Sequence, residues 1–440
     1  MWHRILVLVL ALAPLGSSAQ VAIPDTPAGR VLGTWLEAFN SGDRARIEAY
    51  IKSYGRPNDS VDGMLGFRNQ TGGFEMLAIE GSEPRSIVYR VKERNGETRA
   101  VGRMVISAAD PPRVTSDLLR AIPPNTTGNA SFGIDAATRN RVIDGAIVKL
   151  RDIYVLEDKA KAMIEMLERR RAAGEYDAVA YGDEFAALLT QQLRDVSKDL
   201  HLNVNFSPVP LPPPPAQQAA PQGPPPPAVL EQMRRQMGQI NCGFEKLEIL
   251  QGNVGYLKFN MFANPTVCGA TATTAMAFLE NVNSLIVDML DNGGGDPAMV
   301  AHVTTYLFAE RTHLNDLWTR STGETREWWT NPELPGKRLA TQPVYVLTSS
   351  RTFSGGEEFT YNLQSLKRAT IIGETTGGGA HPVRGERVDD RFTIGVPFAR
   401  AINPITKTNW EGTGVEPDVK VTAADALEKA KELLRAAQAL

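Results

Sequence analysis

Residues 344–359 read Val344-Tyr345-Val346-Leu347-Thr348-Ser349-Ser350-Arg351-Thr352-Phe353-Ser354-Gly355-Gly356-Glu357-Glu358-Phe359. The apolar run over Pro343–Thr348 predicts a buried strand, the small polar residues after it a turn, and the segment from about Gly355 to Leu366 a helix. Ser354 then stands at the helix mouth, where unpaired backbone N–H groups and the positive dipole end favour a developing anion. Gly355 and Gly356 let a second backbone or a substrate come close. The arrangement has the logic of a nucleophile elbow without the G-x-S-x-G sequence. The plain alternative is that Ser354 is an N-cap, with Glu357 completing a capping box. On this stretch alone both readings stand.

Outward from it the pattern is strand–helix alternation. Gly255–Asn260 reads as a strand, Thr271–Asn281 as a helix, and Ser284–Met289 as a continuous apolar strand ending in Asp291-Asn292-Gly293-Gly294-Gly295. A helix over Pro297–Phe308 follows. Thr370–Ile372, Phe392–Pro397 and Val419–Val421 read as further strands, and Ala424–Gln438 as a closing amphipathic helix. Such alternation implies a layered α/β domain. Two glycine loops, Asp291–Gly295 and Gly373-Glu374-Thr375-Thr376-Gly377-Gly378-Gly379, each follow a buried strand. The first offers backbone N–H groups for an oxyanion hole. Neither has the Lys-Ser/Thr ending of a nucleotide-binding loop.

The segments 285–295, 344–359 and Gly373–Gly379, followed by Asn409-Trp410-Glu411-Gly412-Thr413-Gly414-Val415-Glu416-Pro417-Asp418, resemble in order the conserved blocks of the tail-specific (C-terminal processing) protease family. That family includes the tricorn core protease and the interphotoreceptor retinoid-binding proteins. The resemblance spans roughly 134–206 and 240–424. It implies a crotonase-like α/β catalytic core with a helical N-terminal subdomain, and a serine peptidase that hydrolyses peptide bonds through an acyl-enzyme on Ser354. It puts Gly355 and one of Gly293 or Gly294 at the oxyanion-hole positions. The processing branch pairs its serine with a lysine in the second glycine loop, but Gly379 stands at that place here. The tricorn branch uses a histidine oriented by polar residues including a glutamate. His201 and Glu411 match these, although Leu200 stands where tricorn has a serine. His381, just after the glycine loop, is a rival base. The sequence gives no cofactor or metal site. The peptide-docking PDZ module is missing, and a Pro-rich connection fills its interval. A non-catalytic protein binding a peptide or an apolar ligand in the same cleft is the alternative, since the family includes retinoid binders.

The rest of the 440-residue chain divides by composition. Residues 1–19 read as a secretory signal: Arg4, an apolar run from Ile5 to Leu15, then Ser17-Ser18-Ala19. That run is short of the roughly 20 residues of a bilayer span, and no later segment is long and apolar enough. The expectation is therefore an exported protein, periplasmic or extracellular, with no stable membrane span. Residues 24–120 read as a small α+β domain, similar in pattern to SnoaL-like proteins. Helices are expected over 26–55, with Thr26 as N-cap, and strands over Phe74–Ile79, Ser86–Lys92 and Thr98–Ser107. Residues 130–206 read as the helical subdomain, 207–235 as a Pro-rich linker, and 236–440 as the catalytic domain. Lys+Arg 47 against Asp+Glu 50 leaves a net charge of −3, which excludes a polyanion-binding surface. The expected partner is a peptide or protein substrate and not a nucleic acid. Cys242 and Cys268 are too few for a four-ligand zinc site. Export permits a disulfide between them, and two free thiols fit the sequence equally.

Overall fold

The computed structural model describes residues 21–124, 130–212 and 226–438. The expected signal segment, 1–19, lies outside the described residues, as does 213–225 of the Pro-rich stretch. The chain divides into two compact units, one comprising the residues up to Gly133 with Ser207–Pro210, the other Ile134–Phe206 with Leu211–Leu440.

In the first unit, α1 (Pro27–Ser41), α2 (Arg44–Tyr54) and α3 (Val61–Thr71) precede an antiparallel sheet of β1 (Phe74–Ser82), β2 (Ser86–Glu93), β3 (Arg99–Ile106) and β4 (Val114–Ile122), in that order. Thr26 caps α1 by accepting the Gly29 N–H at 3.0 Å, and Pro27 takes the first helical position, where its missing N–H costs nothing. Trp35, Phe39 and Phe74 stack at the centre of this core. Two elements of this unit escaped the sequence. α3 carries Gly63 and Gly66 and buries only Thr71, and β4 mixes charge into its run, so neither has a clean period.

The second unit begins with α4 (Ala136–Ile153), α5 (Glu157–Ala172) and α6 (Gly182–Ser197), followed by β5 (Asn203–Phe206). Next comes α7 (Pro227–Gly238), which corrects the expected linker of 207–235. Pro227 starts a helix there because Ala228, Leu230, Glu231, Gln232, Met233 and Arg234 are all good helix formers. Then follow β6 (Phe244–Leu250), β7 (Val254–Phe259), α8 (Pro265–Phe278), β8 (Ser284–Asp288), α9 (Pro297–Thr305), β9 (His313–Thr319), β10 (Thr325–Trp329), β11 (Val344–Thr348), α10 (Gly355–Ser365), β12 (Thr370–Gly373), β13 (Val383–Arg387), β14 (Phe392–Pro397), β15 (Ala399–Ile402), β16 (Val419–Lys420) and α11 (Ala426–Gln438).

A six-stranded sheet in the order β16-β12-β11-β8-β7-β6 is parallel except for β6. Residues of α8, α9 and α10 share the core on one face, and Ala426, Ala430 and Leu434 of α11 pack with Ile286, Leu347 and Ile372 on the other. Coverage on both faces explains the apolar runs of β8 and β11. The helical segment is tied to this core by a small antiparallel sheet, β13-β14-β5, in which Gly395 of β14 pairs with Asn203. Ile394, Val396 and Phe392 enter the core of α4–α6. This pairing carries the residues before β5 across to the glycine loops.

Cys242 and Cys268 form a disulfide, with S–S 2.00 Å and Cα–Cα 5.8 Å, pinning the approach to β6 onto α8. Cross-linking a loop of 26 residues removes chain entropy worth about 3 kcal/mol. The Cys242→Ser, Cys268→Ser double variant is expected to lose that stability, read as a fall in the denaturant midpoint.

Candidate active site

Ser354 sits between β11 and α10, in the turn where the sequence puts it, with φ 53° and ψ −118°. A non-glycine residue held there costs about 1–3 kcal/mol and persists only where its surroundings impose it. The main restraint is the Glu357 carboxylate. Its Oε2 accepts the N–H groups of Ser354 and Gly379, both at 2.8 Å. Its Oε1 accepts the Gly378 N–H and the Thr376 hydroxyl, both at 2.6 Å. Glu357 thus makes the capping contact that the sequence suggests and also stitches the second glycine loop to the elbow. Burial pushes its carboxyl above the usual range, and the four donors pull against that shift.

The first glycine loop packs on the same elbow. A Cβ on Gly294, whose φ is +96°, would stand 2.5 Å from the Gly355 nitrogen. The N–H groups of Gly293 and Gly294 are nevertheless turned elsewhere: the first donates to the Asn260 carbonyl at 3.0 Å, the second to Asn292 Oδ1 at 2.9 Å. In this arrangement neither expected glycine directs its amide at an incoming oxygen. Gly295 differs. Its bridge to Phe262 runs through the Gly294 carbonyl and the Asp296 N–H, which leaves the Gly295 N–H facing the other way. A Cβ on Gly355 would stand 2.9 Å from the Gly295 nitrogen, so the two amides are neighbours.

His201 and Ser354 line one cavity of about 780 Å³, together with Phe353, Gly355, Gly379 and Trp410. The His201 ring packs against the Phe353 ring, centroids 4.7 Å apart. Its Nδ1 is buried without a hydrogen-bond partner among the described residues. Burial is the main force lowering its pKa, to about 4; the Asp199 charge opposes the shift and His381 adds to it. His381, the rival base, turns inward: it is 3 % exposed, and its flanking residues Ala380 and Pro382 line the cavity while it does not. Its Nδ1 lies 2.9 Å from Asp199 Oδ2 and 3.5 Å from Glu411 Oε2. Glu411 therefore reaches His381. Its Oε2 also accepts the Ala380 N–H at 2.6 Å, while its Oε1 is buried and has no partner among the described residues. Burial first, then the Asp199 charge, raises its pKa to about 7.

Asp199 is the residue that the sequence left unremarked. It is 1 % exposed and accepts from the His201 N–H at 3.0 Å, from Tyr154 at 3.1 Å, and from His381. Its place two residues before His201 is the one signal that would have singled it out. Ligand atoms of Asp199, His201 and Glu411 lie within 4.8 Å of one another, a spread that would admit one cation, although both Asp199 oxygens already accept hydrogen bonds. His302 and His313 are engaged elsewhere, with Thr273 and Asp316.

The missing lysine has a steric counterpart. A Cβ at Gly379 would meet Phe353 Cζ at 2.3 Å and His201 Cε1 at 2.7 Å. The two rings fill the space that a side chain there would need. Gly379→Ala is therefore expected to displace the His201 ring and to slow any reaction at Ser354 at least about 10-fold, because small misplacements of a reacting group are costly. Steady-state kinetics on the folded variant checks this.

A serine at a helix mouth, amides beside it and an imidazole on the same cavity wall, all on a layered α/β sheet, are the parts of a serine-type peptidase. Residues 253–421 match the model of peptidase family S41, and residues 137–241 that of the N-terminal domain of this family in eukaryotic IRBP, so the chain carries S41, or tail-specific, peptidase domains over these two stretches. Among solved structures it is similar to the photosystem II D1 C-terminal processing protease, at 25% identity over 40% of this chain and 45% of that one, with TM-score 0.34. It is also similar to a lipoprotein from Streptococcus agalactiae (13% identity, 68% of this chain, 96% of that one, TM-score 0.45). A third is the tricorn protease (13%, 80% and 45%, TM-score 0.43). The chain thus spans less than half the length of the processing protease that it matches.

Proposed function

We propose that this chain is an exported peptidase, periplasmic or extracellular, that cleaves peptide bonds on a crotonase-like core through an acyl-enzyme on Ser354. The observation that carries the reading is the strained Ser354 sharing one cavity with a buried imidazole. Ser354 Oγ attacks the scissile carbonyl while His201 takes its proton, then gives it to the leaving amine. The Gly355 and Gly295 N–H groups receive the negative oxygen of the tetrahedral intermediate. His201 is ready for this work because burial keeps it neutral. As it gains charge, Asp199, with Oδ1 3.9 Å from its Nδ1, stabilises the imidazolium. His381 holds Asp199 from behind, and Glu411 acts on it through His381.

A fluorophosphonate is expected to label Ser354 in the wild type. A folded protein that resists labelling but binds peptide saturably would instead be a binding member of the family. The pH profile is a second check. The protonated imidazole cannot act as base, so kcat/KM should fall on the acid side with an apparent pKa near 4 and not near 6.5. A smaller inflection near 7, where Glu411 titrates, should vanish in Glu411→Gln while the lower limb stays.

A further inference from the structure

One charged group of the cavity has no part in that chemistry. Glu358 lies one helical turn beyond Ser354, its N–H donating to the Ser354 carbonyl at 2.9 Å. It is 5 % exposed and lines the cavity. Among the described residues no lysine or arginine neutralises it: the groups acting on it are the Asn315 amide and the Asp296 carboxylate, and the latter adds like charge. Asn315 is fully buried, and among the described residues neither its Oδ1 nor its Nδ2 finds a well-formed hydrogen bond. Asp296 lines the same cavity, held as the N-cap of α9. Arg326 lines it too, but is exposed and stacked over Trp328 at 4.1 Å.

A buried carboxylate without a counter-charge is costly, and so is a buried amide without partners. The first cost falls on a cavity wall beside the nucleophile, with Asn315 behind it, and one ligand relieves it: a cation carrying N–H donors. Leu317, Phe398 and Ala401 on the walls suit the methylene stem of such a side chain. We propose that this wall is a side-chain subsite for a basic residue, lysine or arginine, next to the scissile bond, with Glu358 as its counter-ion and Asn315 and Asp296 in support. Burial pushes the Glu358 carboxyl up to about 7, with the Asn315 amide pulling against the shift, and a cation beside it would bring it back down. The proposal rests on Ser354 as the nucleophile, and it deepens that reading by naming the substrate class.

The test uses the full-length wild-type protein. Benzamidinium should slow fluorophosphonate labelling of Ser354 at least about 10-fold at a concentration where benzamide, its neutral isostere, does nothing. Peptides with Lys or Arg before the scissile bond should be cleaved at least about 10-fold faster than their norleucine counterparts, and Glu358→Gln should abolish the preference. Equal protection by the two compounds, or equal cleavage of the two peptide sets, overturns the subsite while leaving the nucleophile intact. If wild-type protein takes no label at all, the nucleophile reading fails, and calorimetry decides the subsite alone. Benzamidinium binding that Glu358→Gln weakens supports it; no binding overturns it.

Discussion

Ser354→Ala is expected to lower peptide turnover by about 10⁴- to 10⁶-fold, with KM for the same peptide little changed. The size follows from the work asked of one oxygen. Without Oγ no acyl-enzyme forms, and His201 has no proton to move; what remains is binding and the amides of Gly295 and Gly355 acting on a chance water. The fold should survive, because what fixes the elbow is the backbone N–H of residue 354 on Glu357, which alanine keeps. Alanine also keeps the strain of φ 53°. Glycine relieves it, so Ser354→Gly should be equally inactive yet more stable than Ser354→Ala by about 1–2 kcal/mol. The pair separates chemistry from folding: equal loss of turnover, unequal denaturant midpoints. A folded Ser354→Ala protein with full turnover would remove the nucleophile.

The elbow was legible because its signals are local. An apolar run of five residues, a turn of small residues and a Gly-Gly helix start leave little else for 344–359 to form, and β11 and α10 lie there. His201 was legible only through resemblance to a family. Its route to the cavity depends on β5 pairing with β14, a pairing across almost two hundred residues that no local pattern encodes. The strands β10 and β13 went unread because their exposed faces carry charge and they present no apolar run. Backbone direction is the other blind spot. That a glycine loop supplies amides follows from composition. Which amide points outward depends on whether Asn292 and Asn260 claim the first two, and only coordinates show that they do. Asp199 and Glu358 were passed over for a third reason. An acidic side chain is ordinarily at the surface, so its burial has no signature until the fold closes over it.

Glu357→Ala is expected to destabilise the protein by about 4 kcal/mol, which places it among the most damaging single changes outside the apolar core. Four donors lose their acceptor together: the N–H groups of Ser354, Gly378 and Gly379 and the Thr376 hydroxyl. Each buried donor left unpaired costs about 1–3 kcal/mol, and relaxation of the loop keeps the total below their sum. Glu357→Gln should fall between alanine and wild type, because it keeps the volume and one carbonyl acceptor but points an NH₂ at groups that also donate. Turnover should fall further than the loss of folded protein explains. The carboxylate fixes residue 354 in its strained conformation, and it fixes the Gly378–Gly379 backbone against which Phe353 and His201 are packed. Denaturant midpoints give the first effect. The rate of fluorophosphonate labelling per folded molecule gives the second, and a Glu357→Gln protein labelled at the wild-type rate would show that the elbow holds its shape without this carboxylate.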